Sequence, residues 1–475
     1  MNRPQLMKKL VFCAAAMAIL SGCASMAPEY KRPDAPVPAA WPSGESYRET
    51  SAGRSASEIR WQEFFSDPKL QEIIKLVLEN NRDLRVAALN IEKSRALYRI
   101  QRTELFPAVN AAGSSTAQRT PADLSPTGMS ATTHQYSADL GFSSYELDLF
   151  GRIRSLNDQA LQEFFATEQA RSSVQISLIS EAASRYLSLA ADKEKLKIIR
   201  ETLKSQLASY NLIKSRYEAG AASELDLKQA QTSVDTARVE AVRYVSLIAQ
   251  NENALALIAG TGIPAELMPE GLSEITSFND LNSGLPAETL LKRPDILQAE
   301  HMLKAYNANI GAARAAFFPR ITLTTGFGLA SNELSGLFHG GPAATWNFIP
   351  KITMPIFDAG KNEAALKASE LNRDIYLAQY EKAIQTAFRE VADALAQKGT
   401  INEQIEAQES LTNATARAFS LSEARYNNGI SSYLEVLDAQ RSLFNAQQEL
   451  ITAQLSRLIN LVTLYKVLGG GSNQE

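Results

Sequence analysis

The sequence has few residues of the kinds that metal sites and disulfides need. It contains two cysteines and eight scattered methionines in 475 residues, which gives no support for a soft-metal relay. Its three histidines show no metal-ligand spacing, and they are His134, His301 and His339. Neither a G-x-S-x-G motif nor a phosphate-binding loop occurs in the sequence. We therefore predict that the chain is not an enzyme and holds no metal or cofactor.

Basic residues are not in excess either. The 48 lysines and arginines are outnumbered by 52 aspartates and glutamates, which gives a formal net charge of −4 at pH 7. Nucleic-acid-binding domains are usually basic, so we predict no nucleic-acid partner. Hydrophobic residues make up 45% and charged residues 21% of the chain, which excludes gross disorder.

The apolar run near the N-terminus is too short to span a membrane. Leu10–Leu20 has 11 apolar residues, whereas a transmembrane helix needs about 20. The run follows two lysines and ends in small residues before Cys23, which is typical of a secretory signal over residues 1–22 and resembles a bacterial lipobox. We predict that Cys23 becomes the first residue and carries lipid, palmitate included. Since residue 24 is Ala rather than Asp, the resemblance to bacterial lipoproteins favours the outer membrane.

Proline and glycine are missing from two long stretches. Neither occurs over the 66 residues 152–217, and residues 361–426 contain no proline and only Gly399. Each stretch predicts an uninterrupted helix of about 100 Å at 1.5 Å per residue. The first carries an apolar seam with the 3-4-3 spacing of coiled coils, formed by Ile176, Ile179, Ala183 and Tyr186.

A helix–turn–helix pattern occurs twice, in Leu212–Val242 and Leu421–Ile451. In each copy a helix ends at glycine and the next helix begins after serine, which are the expected stop and start residues. A shift of 209 residues superposes Arg216 on Arg425, Tyr217 on Tyr426, Gly220 on Gly429, and Ser223 on Ser432. The sequence therefore predicts two helical tips in one chain.

Short alternating segments lie between the helices. In Tyr136–Ser143 every second residue is apolar, and Ile321–Leu329 repeats the alternation, which indicates strands with one apolar face. We predict four strands, at about 107–118, 135–148, 319–331 and 345–357. Because Phe317-Phe318-Pro319 also follows Leu105-Phe106-Pro107 by 212 residues, we predict a tandem duplication.

These features divide the chain into six parts. The N-terminal segment is rich in proline and has no sustained apolar period, which predicts extended, tethering polypeptide. The parts are a signal peptide (1–22), a lipid-anchored extended segment (23–60), a first repeat (61–259), a linker (260–292), a second repeat (293–468) and a tail (469–475).

Four strands cannot form a membrane structure alone. Their length and alternation suit transmembrane β-strands, but an open sheet edge is not tolerated in lipid. Two chains would give about eight strands and three would give about 12, which leaves room for a lumen. The competing interpretation is a soluble helical rod capped by small hairpins, and the lipobox argues against it.

The chain resembles the outer-membrane factor (TolC-like) superfamily, in its lipoprotein NodT/OprM-like branch. The resemblance covers nearly the whole mature chain. The residues that carry it are Trp61, Phe64, Phe65 and Asp67–Leu70; Tyr145–Arg152; Arg293–Ile296, Ala299 and Glu300; Ala313–Pro319; and Arg425, Tyr426, Gly429 and Leu437–Leu443.

This resemblance implies a mainly α fold with a membrane β-barrel. Three chains would form a homotrimer with a 12-stranded barrel in the outer membrane and an α-helical tunnel in the periplasm. The implied partners are a periplasmic adaptor protein and an inner-membrane transporter of the RND type. The implied function is a passive exit duct for drugs or other small molecules, connected with multidrug resistance.

The resemblance also implies a gate at the periplasmic tips. Glu435 and Asp438 are three residues apart and share a helix face, so a threefold axis would turn them into acidic rings that favour cations. In the family such carboxylates, with an aromatic residue at Tyr426, belong to the periplasmic constriction. Ser431 stands where the family has a basic partner, so the closing interactions must differ or come from Arg425 or Arg441. A solvated acidic face is the alternative for the two carboxylates.

The resemblance assigns the turns a second role. Arg216, Tyr217, Gly220, Arg425 and Gly429 are expected to shape the tips and dock the adaptor. Two other functions stay open at this point. One is an exit duct for type I protein secretion or metal-ion efflux. The other is a non-conducting periplasmic rod or adaptor, although adaptors lack duplicated amphipathic strands.

Overall fold

The computed structural model describes residues 25–47, 54, 56–275, 278, 281, 289–338 and 344–471. The predicted signal peptide, Cys23 and His339 lie outside the described residues. The chain divides into two compact units. Unit 1 contains Met1–Asp34, Asn90–Glu168 and Gln298–Tyr380, and unit 2 contains Ala35–Leu89, Gln169–Leu297 and Glu381–Glu475.

Eight α-helices have both ends in the described residues. Those of the first repeat are α1 (Trp61–Phe64), α2 (Pro68–Asn80), α3 (Arg82–Thr103), α4 (Arg152–Glu218) and α5 (Glu224–Ala259). Those of the second repeat are α6 (Pro294–Ala315), α7 (Lys361–Asn427) and α8 (Tyr433–Val467). Helices α4 and α7 each have 67 residues, so the two long helices are confirmed. Gly399 does not interrupt α7, because one interior glycine costs only about 1 kcal/mol.

A side-chain cap marks the start of α2. Asp67 precedes α2, and its carboxylate accepts hydrogen bonds from the backbone N–H groups of Lys69 (2.8 Å) and Leu70 (3.2 Å). Helix α2 ends and α3 begins at Asn81, whose side chain accepts from the N–H of Leu84 (2.9 Å) and donates to the carbonyl of Ile258 (2.8 Å). The asparagine therefore ends one helix and begins the next.

The apolar seam of α4 is buried, as the 3-4-3 spacing predicts. Its members have exposed fractions of 5% or less, and they are Ile176, Ile179, Ala183 and Tyr186. Near it in unit 2, Tyr465 stacks on Phe64 with ring centroids 4.2 Å apart and donates its hydroxyl to the carbonyl of Ile59 (2.8 Å). The last helix is thereby joined to the first residues of the fold.

Arg293 joins the start of the second repeat to its end. Its guanidinium donates to the carbonyl of Val467 (2.9 Å), to Asp295 (2.7 Å) and to Glu390 (3.0 Å). Because a buried cation needs both charge and hydrogen-bond partners, this cluster explains why Arg and Asp flank Pro294 in the sequence. Its position at the C-terminal end of α8 is also favourable for a cation.

The four predicted strands are confirmed as one antiparallel sheet in unit 1. They are β1 (Asn110–Thr120), β2 (Ala131–Glu146), β3 (Arg320–Ser331) and β4 (Ala344–Thr353), hydrogen-bonded in the order β1-β2-β3-β4. The expected bounds shift by up to four residues. β2 begins earlier because Ala131 pairs with Thr120, and β4 ends earlier because its ladder stops at the Arg320–Thr353 pair, before Pro355, which has no N–H to donate.

One face of the sheet presents uncovered apolar side chains. Leu140, Phe327 and Trp346 are in register across three strands, and 58%, 66% and 77% of their surfaces are exposed. Asp139, whose register partner is Gly328, lies on the opposite face because successive strand residues alternate. The amphipathic pattern expected from the sequence is therefore present. Among the described residues, no helix combines the length and hydropathy needed to cross a membrane.

Candidate functional site: the paired helical tips

The first tip is closed by a glycine in the left-handed conformation. Gly220 follows α4 with φ of +76°. Its N–H donates to the carbonyl of Tyr217 (2.9 Å), and the N–H of Ala221 donates to the carbonyl of Arg216 (2.7 Å). This pair of bonds satisfies carbonyls that the end of a helix leaves free.

The second tip repeats this backbone geometry. Gly429 has φ of +72°, its N–H donates to the carbonyl of Tyr426 (2.9 Å), and the N–H of Ile430 donates to that of Arg425 (2.9 Å). A Cβ added at either glycine would meet no atom within 4 Å. Glycine is thus required by the positive φ rather than by lack of space.

The helix starts after the two turns are capped differently. Ser223 and Asp226 form a capping box, in which Ser223 Oγ accepts from the N–H of Asp226 (3.1 Å) and the carboxylate accepts from the N–H of Ser223 (3.2 Å). Ser432 occupies the equivalent position and makes no side-chain cap bond. Glu435, the counterpart of Asp226, is exposed. The acidic residue is used for capping in the first tip alone.

The two tips pack against each other within one chain. A buried apolar cluster contains residues from both hairpins, namely Ile213, Ala230, Tyr433, Val436 and Leu437. Burial raises the pKa of Tyr433 to about 12, so its phenol is neutral at any physiological pH. Separating the hairpins would expose this cluster to water.

A cation from the first tip lies over an aromatic ring of the second. The guanidinium carbon of Arg216 is 5.3 Å from the ring centroid of Tyr426, which is a cation–π distance. The Tyr426 ring in turn lies 5.3 Å from that of Tyr433. The sequence placed Arg216 in the turn only. Sequence reasoning did not find its contact with Tyr426, because the two residues are 210 positions apart. The local sequence also does not distinguish Arg216 from its counterpart Arg425, which is exposed.

The remaining tip residues are mostly exposed. Asp438 is paired with Arg441 at 3.5 Å, and their side chains are 75% and 66% exposed, so the pair itself contributes little stability. Ser431 has its hydroxyl oxygen buried, without a hydrogen-bond partner in the described part of the chain. Tyr217 is 40% exposed and is available for contact with another molecule. No cluster of potential metal ligands occurs among the described residues.

The comparison with family models decides the classification. The model described as outer membrane efflux protein matches residues 73–261 and 285–470. The chain belongs to this family. The resemblance inferred from the sequence motifs is therefore confirmed, and the two matched segments contain the two tips.

Curated relatives and a solved structure agree with this classification. Two proteins of Pseudomonas putida, the toluene efflux pump outer membrane protein TtgC and the antibiotic efflux pump outer membrane protein ArpC, are each 51% identical over 465 residues, which are 98% of this chain and 96% of the relative. The open-state outer membrane channel MtrE of Neisseria gonorrhoeae matches with a TM-score of 0.85 and 36% identity, covering 94% of this chain and 98% of MtrE.

The family member is thus an outer-membrane component of an efflux pump. Its tandem-duplicated, mainly helical fold with four antiparallel strands is that of the trimeric TolC-like channels. The family is one of transport conduits, which agrees with the motifs absent from the sequence.

Proposed function

We propose that three copies of this chain form a passive exit duct of 12 strands in the outer membrane. The observation that carries the proposal is the uncovered apolar face of the sheet, on which Leu140, Phe327 and Trp346 are in register and exposed. In the described residues β1 and β4 are the free edges of the sheet. Pairing these edges between copies would satisfy their backbone groups in lipid.

The proposed cargo consists of small organic molecules, including aromatic solvents and antibiotics. Relatives 51% identical to this chain are described as outer membrane proteins of a toluene efflux pump and an antibiotic efflux pump. A water-filled duct needs no cargo-shaped pocket, so selection belongs to the inner-membrane transporter that drives export. That transporter is of the RND type, and a periplasmic adaptor connects it to the tips of this chain.

The lipid anchor is part of the same proposal. Cys23 carries the acyl chains, palmitate among them, and fixes the chain to the outer membrane, while the helices extend into the periplasm. One lipidated residue binds a protein to the membrane only reversibly unless a second membrane-binding element, here called the second signal, is present. The barrel supplies that second signal.

The tips form the proposed gate. Arg216, held over Tyr426, links the first hairpin to the second, and the buried cluster around Tyr433 supports that link. Glu435 and Asp438 would form the acidic rings of the constriction. Docking of the adaptor on Tyr217, Gly220, Arg425 and Gly429 would open it by moving the second hairpin away from the first.

Two measurements test the function. Purified protein in a planar bilayer should give single-channel conductance, and its absence would favour a non-conducting periplasmic rod. Deletion of the gene should increase the susceptibility of the host to toluene and antibiotics, and reintroduction of the intact gene should restore resistance. Sensitivity to metal ions alone, or loss of a secreted protein alone, would instead support one of the other duct functions.

A further inference from the structure

The N-terminal segment of unit 1 lies against a regularly spaced row of residues on α6. The row members are spaced four, three, four and three residues apart, which places them on one helix face, and they are Glu300, Lys304, Asn307, Gly311 and Arg314. Residues 25–32 contact this row in reverse order. We call residues 25–32 the strap and the five α6 residues the track.

The C-terminal end of the strap is held by a buried carboxylate. Arg32 donates two hydrogen bonds to Glu300, at 3.0 and 2.7 Å, and the hydroxyl of Tyr30 donates a third at 3.2 Å. Lys304 is paired with the same carboxylate at 2.9 Å and lies 5.1 Å from the centroid of the Tyr30 ring. The Glu300 side chain is only 3% exposed. A buried carboxylate needs such partners, so loss of Arg32 would be costly.

Hydrogen bonds to the backbone continue along the track. Asn307 donates to the carbonyl of Pro28 (2.7 Å), and Arg314 donates to the carbonyl of Met26 (3.3 Å). At the far end the hydroxyls of Ser25 and Ser155 are 3.0 Å apart. These contacts depend on the position of the strap backbone and not on its side chains, apart from Ser25.

Gly311 makes the close approach possible. A Cβ at this position would lie 2.6 Å from the backbone nitrogen and 3.0 Å from the Cα of Ala27, and would also contact the hydroxyl of Ser155. Backbone atoms cannot yield as a flexible side chain can. Any larger residue would therefore push the strap off the helix.

The lengths of strap and track match. The six residue-to-residue steps of extended chain from Met26 to Arg32 span about 20 Å, and the 14 steps from Glu300 to Arg314 span about 21 Å of helix. Pro28 keeps its part of the strap extended by fixing φ. Because a slip of one residue would move every contact by about 3.4 Å, the contacts with the track define a single register.

We propose that the track is a ruler that sets the position of the N-terminus, with Glu300 as its positioning residue. The ruler holds Ser25 and Met26 close to the end of α6 that leads into β3, and acylated Cys23 precedes Ser25 by two residues in the sequence. The acylation of Cys23 rests on the proposed lipid anchor, whereas the register of the strap is independent of it.

A cross-link at the far end of the ruler tests the register. We place thiols with Ser25→Cys and Ser155→Cys in the full-length protein, oxidise membranes and identify the disulfide between the two introduced thiols by mass spectrometry. The parent pair should cross-link readily. Adding Arg32→Ala should lower the equilibrium constant for docking of the strap at least tenfold, because hydrogen bonds to charged groups contribute about 1.5–3 kcal/mol each, and the cross-linking yield should fall with it. The substitution is on the strap, so it leaves α6 intact.

Matched controls decide between a ruler and general destabilisation. Lys31→Ala removes the neighbouring exposed cation and should leave the yield unchanged, whereas Glu300→Ala and Gly311→Ala should reduce it as Arg32→Ala does. An unreactive parent pair, or an undiminished yield with Arg32→Ala, would overturn the ruler. Failure of Cys23 to carry lipid would refute the proposed anchor and leave the cross-linking results unaffected, so the two failures are distinguishable.

Discussion

In the first tip, Ser223 and Asp226 bond to each other's backbone groups, whereas in the second tip Ser432 makes no cap bond and Glu435 faces solvent. The turns before them have nearly the same φ, +76° at Gly220 and +72° at Gly429. Both copies therefore keep the glycine that the backbone conformation of the turn requires. The side chains after the turn diverged, and the second copy has a carboxylate free for a charged lining.

This difference suggests a division of labour between the hairpins. The first tip, with a satisfied cap and with Arg216 directed at the other hairpin, is suited to be the fixed support. The second tip, whose helix start has no side-chain cap, is suited to move. Helix starts without a cap fray more easily, because their first N–H groups depend on water.

The largest effect should come from replacing the glycine with positive φ that both tips have after the first helix. Gly220→Val and Gly429→Val each place a β-branched residue at positive φ, which costs about 1–2 kcal/mol or more. Both should impair pump assembly, measured by co-purification with the adaptor, while Gly→Asn at the same sites should be tolerated because Asn visits this conformation. Normal assembly of the valine variants would remove these glycines from the docking site.

The two tips should respond differently to removal of the serine at the start of the second helix. Ser223→Ala should destabilise the start of α5 by about 1 kcal/mol, since it removes a cap bond, whereas Ser432→Ala should have a much smaller effect on α8. Hydrogen–deuterium exchange of the first-turn amides in each helix measures the difference. Equal acceleration of exchange in both variants would contradict the assignment of a fixed and a mobile tip.

The contact between the tips should contribute a smaller amount. Arg216→Ala and Tyr426→Leu should each weaken the link by about 0.5–1 kcal/mol, and together they should be less than additive. Tyr426→Phe keeps the ring and is the control. Channel open probability in a bilayer is the readout, and it should rise in the first two variants and stay unchanged in the third. Full additivity would show that the two residues act separately.

The exposed carboxylates should give the smallest effect at physiological salt, because exposed charges are screened. Glu435→Ala with Asp438→Ala should lower the cation-to-anion permeability ratio, and the loss should be larger at low ionic strength. Asp226→Asn, at the equivalent position in the capped tip, should affect selectivity less. If selectivity is the same with and without Glu435 and Asp438, the acidic face is merely solvated.

The outline of the fold was predictable from periodicity. The lack of proline over residues 361–426 predicted α7 to within one residue, and strand alternation predicted the sheet. Strand ends were less predictable, because Ala131 and Thr353 are strand residues only through their pairing with Thr120 and Arg320. Which residues pair at the end of a ladder depends on the loop that joins the two strands, and a short sequence pattern does not specify that loop.

The candidate gate was only partly predictable. Tyr426, Glu435 and Asp438 could be selected from motif and spacing, and their roles remain predictions. Arg216 could be selected as a turn residue, but not as the partner of Tyr426. The strap was expected to be a tether, because prolines without an apolar period indicate extended chain. Its contacts with Glu300 and Asn307 come from residues more than 260 positions away.

The sequence by itself determined the helices, the strands, the duplication and the two glycine turns, because these follow from local backbone preferences and short periods. Only the tertiary structure decided that Arg216 meets Tyr426 and that the strap has one register on α6. These outcomes depend on which distant groups meet and on whether each buried charge finds a partner, and no local pattern encodes either.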